Sequence, residues 1–187
     1  MPGPSFSTPP DLCKLGSLYS TYPNSVCSTC YAKKGRSVFP SVVQARIARL
    51  QAWQTQPKWV EAMSTLIQKH QWFRWFDAGD IYSSKQFKDI CTVCQNTPST
   101  HHWLPTLQRS WVIQNQLRIP LNLNPRFSSP FLDRPSSSKY YPTSMVATSL
   151  EYQLPGFWCP ASLTGGSCGK CRACWDPEVP LIIYLKH

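Results

Sequence analysis

Acidic side chains are scarce in this chain. Nine Asp and Glu stand against nineteen Lys and Arg in 187 residues, a formal net charge of +10. With so few carboxylates, any one in a special setting stands out. Long apolar runs are missing as well: nothing approaches the roughly eighteen apolar residues that a membrane-spanning helix requires, so no membrane association is expected. The opening MPGPSFSTPPD has no basic start followed by an apolar stretch, which predicts no secretory leader and places the chain in a reducing cytoplasm. Also absent are a phosphate-binding Walker-type loop, a dinucleotide glycine fingerprint, a Ser/His/Asp arrangement and any internal repeat. Charged residues are 15% and hydrophobic residues 42%, which excludes a disordered tail and predicts one globular domain.

Cysteine is what the chain has in excess. Nine thiols in a reducing compartment argue for metal or catalysis before disulfides. They fall into three groups. Cys13, Cys27 and Cys30 follow the pattern C-x13-C-x2-C, Cys91 and Cys94 stand in DICTVCQ, and Cys159, Cys168, Cys171 and Cys174 follow C-x8-C-x2-C-x2-C. Two successive C-x2-C steps with a further cysteine upstream are specific, because tight loops of that spacing aim several sulfurs at one centre. Runs of this kind hold iron–sulfur clusters, and four thiolates also hold zinc in a closed tetrahedron. We read iron–sulfur first, one four-iron cluster or two, with zinc as the alternative. The ligand candidates are Cys13, Cys27, Cys30, Cys159, Cys168, Cys171 and Cys174. Cys91 and Cys94 share one face of a predicted helix, where packing is the simpler reading.

The positive charge has three readings. One is solubility. A second is nucleic acid as partner, through phosphate contacts. The third is compensation of an anionic four-thiolate cluster by Lys33, Lys34, Arg36, Lys170 and Arg172, which lie beside the cysteines.

Periodicity places these groups on a fold. Residues 1–38 read as an N-terminal cysteine loop, 39–150 as an α/β core, and 151–187 as a C-terminal cysteine knot with the last strand. Apolar residues recur at helical spacing from Pro40 (Val42, Val43, Ile47, Leu50, Trp53) and again after Pro57 (Trp59, Val60, Met63, Leu66, Ile67). A third helix is predicted over SSKQFKDICTVCQ, capped by Ser83 or Ser84, and a short one over RSWVIQNQ. Strands are predicted at Trp72–Phe76, at THHWLPT with Pro105 ending it, at RIPLNLN, at TSMVATS and at VPLIIYLKH, with a loop over 125–143. Alternating strands and helices predict a small α/β fold with a largely parallel sheet, open or a partial barrel, and helices outside it.

In FDAGDIYS, Asp77 and Asp80 stand where a strand gives way to a helix. That edge binds ligands in parallel α/β folds, which makes Asp80 the candidate catalytic or ligand-orienting carboxylate. The plain alternative is that Asp80 or Ser83 caps the next helix. His101 and His102 should face opposite sides of a strand and are read as packing.

The segments CSTCYAKKGR, FRWFDAGDIYS, RSWV and GKCRACWDPEVPLIIYLKH, in order from residue 27 to the C-terminus, resemble the phage gene product eighty-eight family. More distantly, the chain is similar to the radical S-adenosylmethionine superfamily. The resemblance implies an iron–sulfur protein of viral origin, in the host cytoplasm, with a partial-barrel core. It supplies no reaction. The first cysteine gap of thirteen residues departs from the C-x3-C-x2-C of radical enzymes, and no Gly-Gly-Glu stretch follows the second strand.

Three function classes follow. The first, and our reading, is an iron–sulfur protein with a redox or structural role and a small-molecule or redox partner. The second is a radical enzyme that uses S-adenosylmethionine at the N-terminal three-cysteine site. The third is a zinc-stabilised nucleic-acid-binding module.

Overall fold

The computed structural model describes residues 1–152 and 154–186. Gln153 and His187, the latter the end of the expected last strand, lie outside the described residues. Among the described residues, five α-helices and six strands follow in the order α1 (Lys14–Tyr19), α2 (Pro40–Thr55), α3 (Trp59–Ile67), β1 (Trp72–Arg74), α4 (Ser84–Asn96), β2 (His101–Thr106), α5 (Arg109–Gln114), β3 (Leu123–Ser128), β4 (Thr143–Ala147), β5 (Phe157–Trp158) and β6 (Leu181–Leu185). The strands form one sheet in the order β1-β2-β3-β4-β6-β5, parallel at every pairing and curled into a half-barrel. Beyond β1 the N-terminal segment adds a parallel bridge, Ser5 to Arg74. The chain therefore reaches Cys13 directly from the sheet's edge.

Side-chain alternation along the strands separates two faces. Phe73, Leu104, Leu123 and Phe127 turn toward the helices, where they meet Trp53, Trp59, Ile67, Phe87 and Ile90 in the main core. Trp53 and Trp59 stack there at 4.1 Å between centroids. The intervening positions Trp103, Asn124 and Arg126 serve the other face, which receives the C-terminal segment around Trp175.

The α/β expectation holds, and so do the three long helices. Ser83 is the cap of α4, its hydroxyl accepting from the Gln86 N–H. Four details differ. The third strand lies at Leu123–Ser128 and not at residues 118–124, because Pro120 and the turn before Leu123 break the apolar alternation there. Pro105 sits inside β2, in register with Arg126; it forgoes one donor without ending the strand. The first strand is shorter than expected, and Phe76 takes a positive φ of 54° just after it. Finally, β5 and the short α1 lie in segments read as irregular, both too short for periodicity to register.

Candidate functional site

The N-terminal cysteines gather where β1, β2 and β3 end. Cys13 precedes α1, Cys27 lies within and Cys30 just after a single 3-10 turn, Val26–Thr29, whose capping Ser25 hydroxyl accepts from the Ser28 N–H. The turn is tied to the sheet's edge by Val26 N–H donating to the Pro130 carbonyl. Gly16 makes room for the sulfurs, since a Cβ there would lie 2.7 Å from Cys13 Sγ and 3.8 Å from Cys27 Sγ. Burial, then the Asp80 charge and the other two thiols, pushes Cys13 up to about 12. Burial and Cys30 push Cys27 up to about 11. Cys13 and Cys27 so placed resist ionising together unless a strong positive charge joins them.

These sulfurs border a cavity of about 210 Å³ that Arg74, Asp77, Thr106, Ser128 and Ser129 also line. Two polar atoms of its lining residues, Arg74 Nε and Asp77 Oδ1, are buried without a hydrogen-bond partner. Arg74 meets Met1 Sδ at 3.6 Å and the Trp103 ring at 4.5 Å, and its charge also pulls on Cys174 and Tyr184. Tyr31 closes one side, its hydroxyl donating to the Asp77 carbonyl. Sequence reading passed over Arg74. The available signal was a lone cation in WFRWF, at the alternate position of an otherwise apolar strand.

Asp80 is spent. Its carboxylate accepts from the Ile81 N–H at 2.7 Å, the Thr106 hydroxyl at 2.6 Å and the Leu107 N–H at 2.8 Å. It ties the loop after β1 to the end of β2 and does not cap α4. Burial raises its pKa to about 6, against the pull of those three donors.

The C-terminal cysteines gather against the sheet face that Trp103, Asn124 and Arg126 serve. Cys159 leaves β5 through a backbone bond to the Ile183 carbonyl. The chain then turns through Gly169, at a φ of +48° that side chains disfavour, so that Cys168 and Cys171 come back toward it. Burial, followed by the charges of Cys168 and Cys171, raises Cys159. Burial pushes Cys174 up to about 11, with Cys159 adding and the Tyr184 hydroxyl, 3.2 Å from its sulfur, opposing. The segment is anchored twice. The Trp175 indole N–H donates to the Phe73 carbonyl at 2.9 Å. The fully buried Arg126 guanidinium donates to the carbonyls of Thr143, Val179, Ala173 and Asp176. Arg172 folds onto its own turn, bonded to the Gly169 and Cys171 carbonyls.

The structure thus brings the seven candidate ligands into two groups, three and four. Among the described residues, no three or more His, Cys, Asp or Glu side chains are placed to hold a metal ion. Cys91 and Cys94 join neither group and lie in the core against the helices. His102 is buried beside the Thr97 hydroxyl at 2.9 Å, and burial lowers its pKa to about 3. His101 is exposed. No helix among the described residues is long and apolar enough to cross a membrane.

A family model described as Gene product 88 matches residues 2–177. No curated protein and no solved structure matches the chain.

Proposed function

The chain belongs to the Gene product 88 family, a family of phage gene products, and from that premise we propose that it is an iron–sulfur protein with two clusters of unlike purpose. The observation that carries the reading is the three-thiol group at the mouth of a cavity whose lining residues bury polar atoms without a hydrogen-bond partner. Three thiolates on a four-iron core leave one iron without a protein ligand, and the cavity is where an outside ligand would meet it. The four C-terminal thiols complete a closed set, suited to structure or electron transfer. Gly16 supplies the room an occupant needs beside Cys13 and Cys27. A structural zinc ion takes four protein ligands in a closed tetrahedron, and the N-terminal group, with three thiols, falls one short of that set.

The same open three-thiol group favours a second reading, a radical S-adenosylmethionine-like enzyme. In it, S-adenosylmethionine would supply radical chemistry when bound. Arg74, Asp77, Ser128 and Ser129 are the cavity's groups for holding it, and Tyr31 shields the mouth from water.

Protein purified without oxygen should be brown and carry about eight irons per chain. Changing Cys13, Cys27 and Cys30 together to Ala should remove half of the iron. In the second reading, S-adenosylmethionine should alter the electron paramagnetic resonance signal of the reduced wild type and not of that triple variant. Colourless protein carrying stoichiometric zinc would overturn both readings.

A further inference from the structure

The lobe that carries the three N-terminal cysteines exposes cations and aromatic rings together; exposed aromatics elsewhere are Tyr140, Tyr152 and Phe157. Between residues 11 and 39 it holds four cations (Lys14, Lys33, Lys34 and Arg36) against one acid, Asp11. Asp11 is spent on Lys33 at 3.0 Å. The only other ion pair among the described residues is Lys85 with Asp89, so Lys14, Lys34 and Arg36 stand exposed and without carboxylates. The same segment exposes aromatic side chains. Tyr22 is 50% exposed, Tyr31 58% and Phe39 54%, whereas none of the chain's eight tryptophans is exposed. Short 3-10 turns and α1 carry these residues, so no long amphipathic helix is available to lie in a lipid surface. Tyr31 and Lys33 bring the surface to the rim of the cavity.

We propose that this lobe binds single-stranded nucleic acid across the mouth of the three-cysteine cavity. Cations that follow a phosphate backbone, interleaved with exposed aromatic faces on which bases stack, form the recognition pattern for single strands. The charge of the whole chain, +10, adds long-range attraction for a polyanion. An acidic protein would use the same cations but would need no aromatic faces, and that difference decides between the two partners. As the substrate class of the cavity, the proposal rests on the reading above. As a binding surface, it rests only on the lobe's exposed side chains.

The test is fluorescence anisotropy of labelled fifteen-nucleotide single strands, DNA and RNA, with full-length protein purified without oxygen and its iron measured on the same sample. Binding should weaken steeply with salt. Lys34→Gln with Arg36→Gln should flatten the slope of log affinity against log salt by roughly 0.7 for each phosphate no longer neutralised. Tyr22→Leu with Phe39→Leu keeps apolar bulk and removes two rings, and should weaken binding about tenfold or more with the slope unchanged. Phe39→Trp, which keeps a face, should retain affinity. The proposal is overturned if no strand binds, if the double leucine variant binds as well as wild type, or if poly-glutamate competes as well as an unlabelled strand. The last outcome would assign the lobe to an acidic protein. Binding by protein that lacks iron would keep the surface and remove the cluster reading, so the two can fail separately.

Discussion

The two cysteine groups differ in how they are joined to the fold. The N-terminal three sit on an extension of the sheet's edge, held by backbone bonds such as Val26 to Pro130 and bordering open space. The C-terminal four sit inside the architecture. Cys159 comes straight from β5, Trp175 is bonded to β1, Arg126 binds the segment from β3, and β6 follows within a few residues. An occupant of the first group can exchange ligands with little consequence for folding. On the proposed reading, an occupant of the second would be coupled to folding, since metal binding at a site with no unfolded counterpart contributes to folding.

The strongest way to break this comparison is to remove its anchor without touching a cysteine. Arg126→Ala deletes a fully buried side chain and takes a donor from four carbonyls, of which Ala173 and Asp176 keep a backbone N–H partner. Cavity and unsatisfied-acceptor costs together should destabilise the domain by about 4 kcal/mol or more. Urea unfolding measures this, and iron should be lost from the C-terminal group first. Arg74→Ala removes a guanidinium with no carbonyl or carboxylate acceptor and should cost far less. Equal losses would show that the two cysteine groups are not anchored differently.

Next come the ligands themselves. Cys171→Ser should lower iron content and the unfolding midpoint together. Cys27→Ser should also lower iron content but leave the urea midpoint of the remaining fold nearly unchanged. Matching losses of stability in the two variants would contradict the division into an open site and a structural one.

Asp80 tests the seam between the N-terminal cavity and the sheet. Asp80→Asn places an amide N–H₂ against a donor that the carboxylate now satisfies, at a cost of about 1–3 kcal/mol near neutral pH. The folded pKa is raised to about 6 from the ordinary value of 3.8. Its stabilising contribution is therefore complete below pH ~4 and is lost as pH rises through about 6. The margin of wild type over Asp80→Asn should accordingly be larger at pH 4 than at pH 7.5. A margin that grows with pH would mean that the three hydrogen bonds outweigh burial.

Much of this was legible in residue order. Pro40, the 3.6-residue recurrence after it and the Ser83 cap located the long helices, and the cysteine spacings separated the groups that the fold keeps apart. The role of Asp80 was not legible, since its partners Thr106 and Leu107 lie at and just past the end of β2 and meet it only through β1–β2 pairing. Nor was the unpartnered Nε of Arg74, because whether a strand cation has an acceptor depends on chain remote in sequence. Arg126 was hidden for the same reason: its four acceptors come from 143 and from 173–179.

The smallest expected effect separates the two groups by their electronics. Tyr184 places its hydroxyl 3.2 Å from Cys174 Sγ; among the described residues no tyrosine is so placed on the three N-terminal sulfurs. A hydrogen bond to a ligating sulfur favours the more negative, reduced cluster and so raises its potential. Tyr184→Phe keeps the ring and removes the donor. A bond worth about 1 kcal/mol corresponds to a fall of roughly 40 mV for a one-electron couple. Iron content and the urea midpoint should stay close to wild type, because the ring still fills its place beside β4. Potentiometric titration followed by electron paramagnetic resonance should then show one of two clusters shifted downward and the other fixed. A shift of both, or of neither, would mean that the Tyr184 hydroxyl does not serve the C-terminal cluster alone.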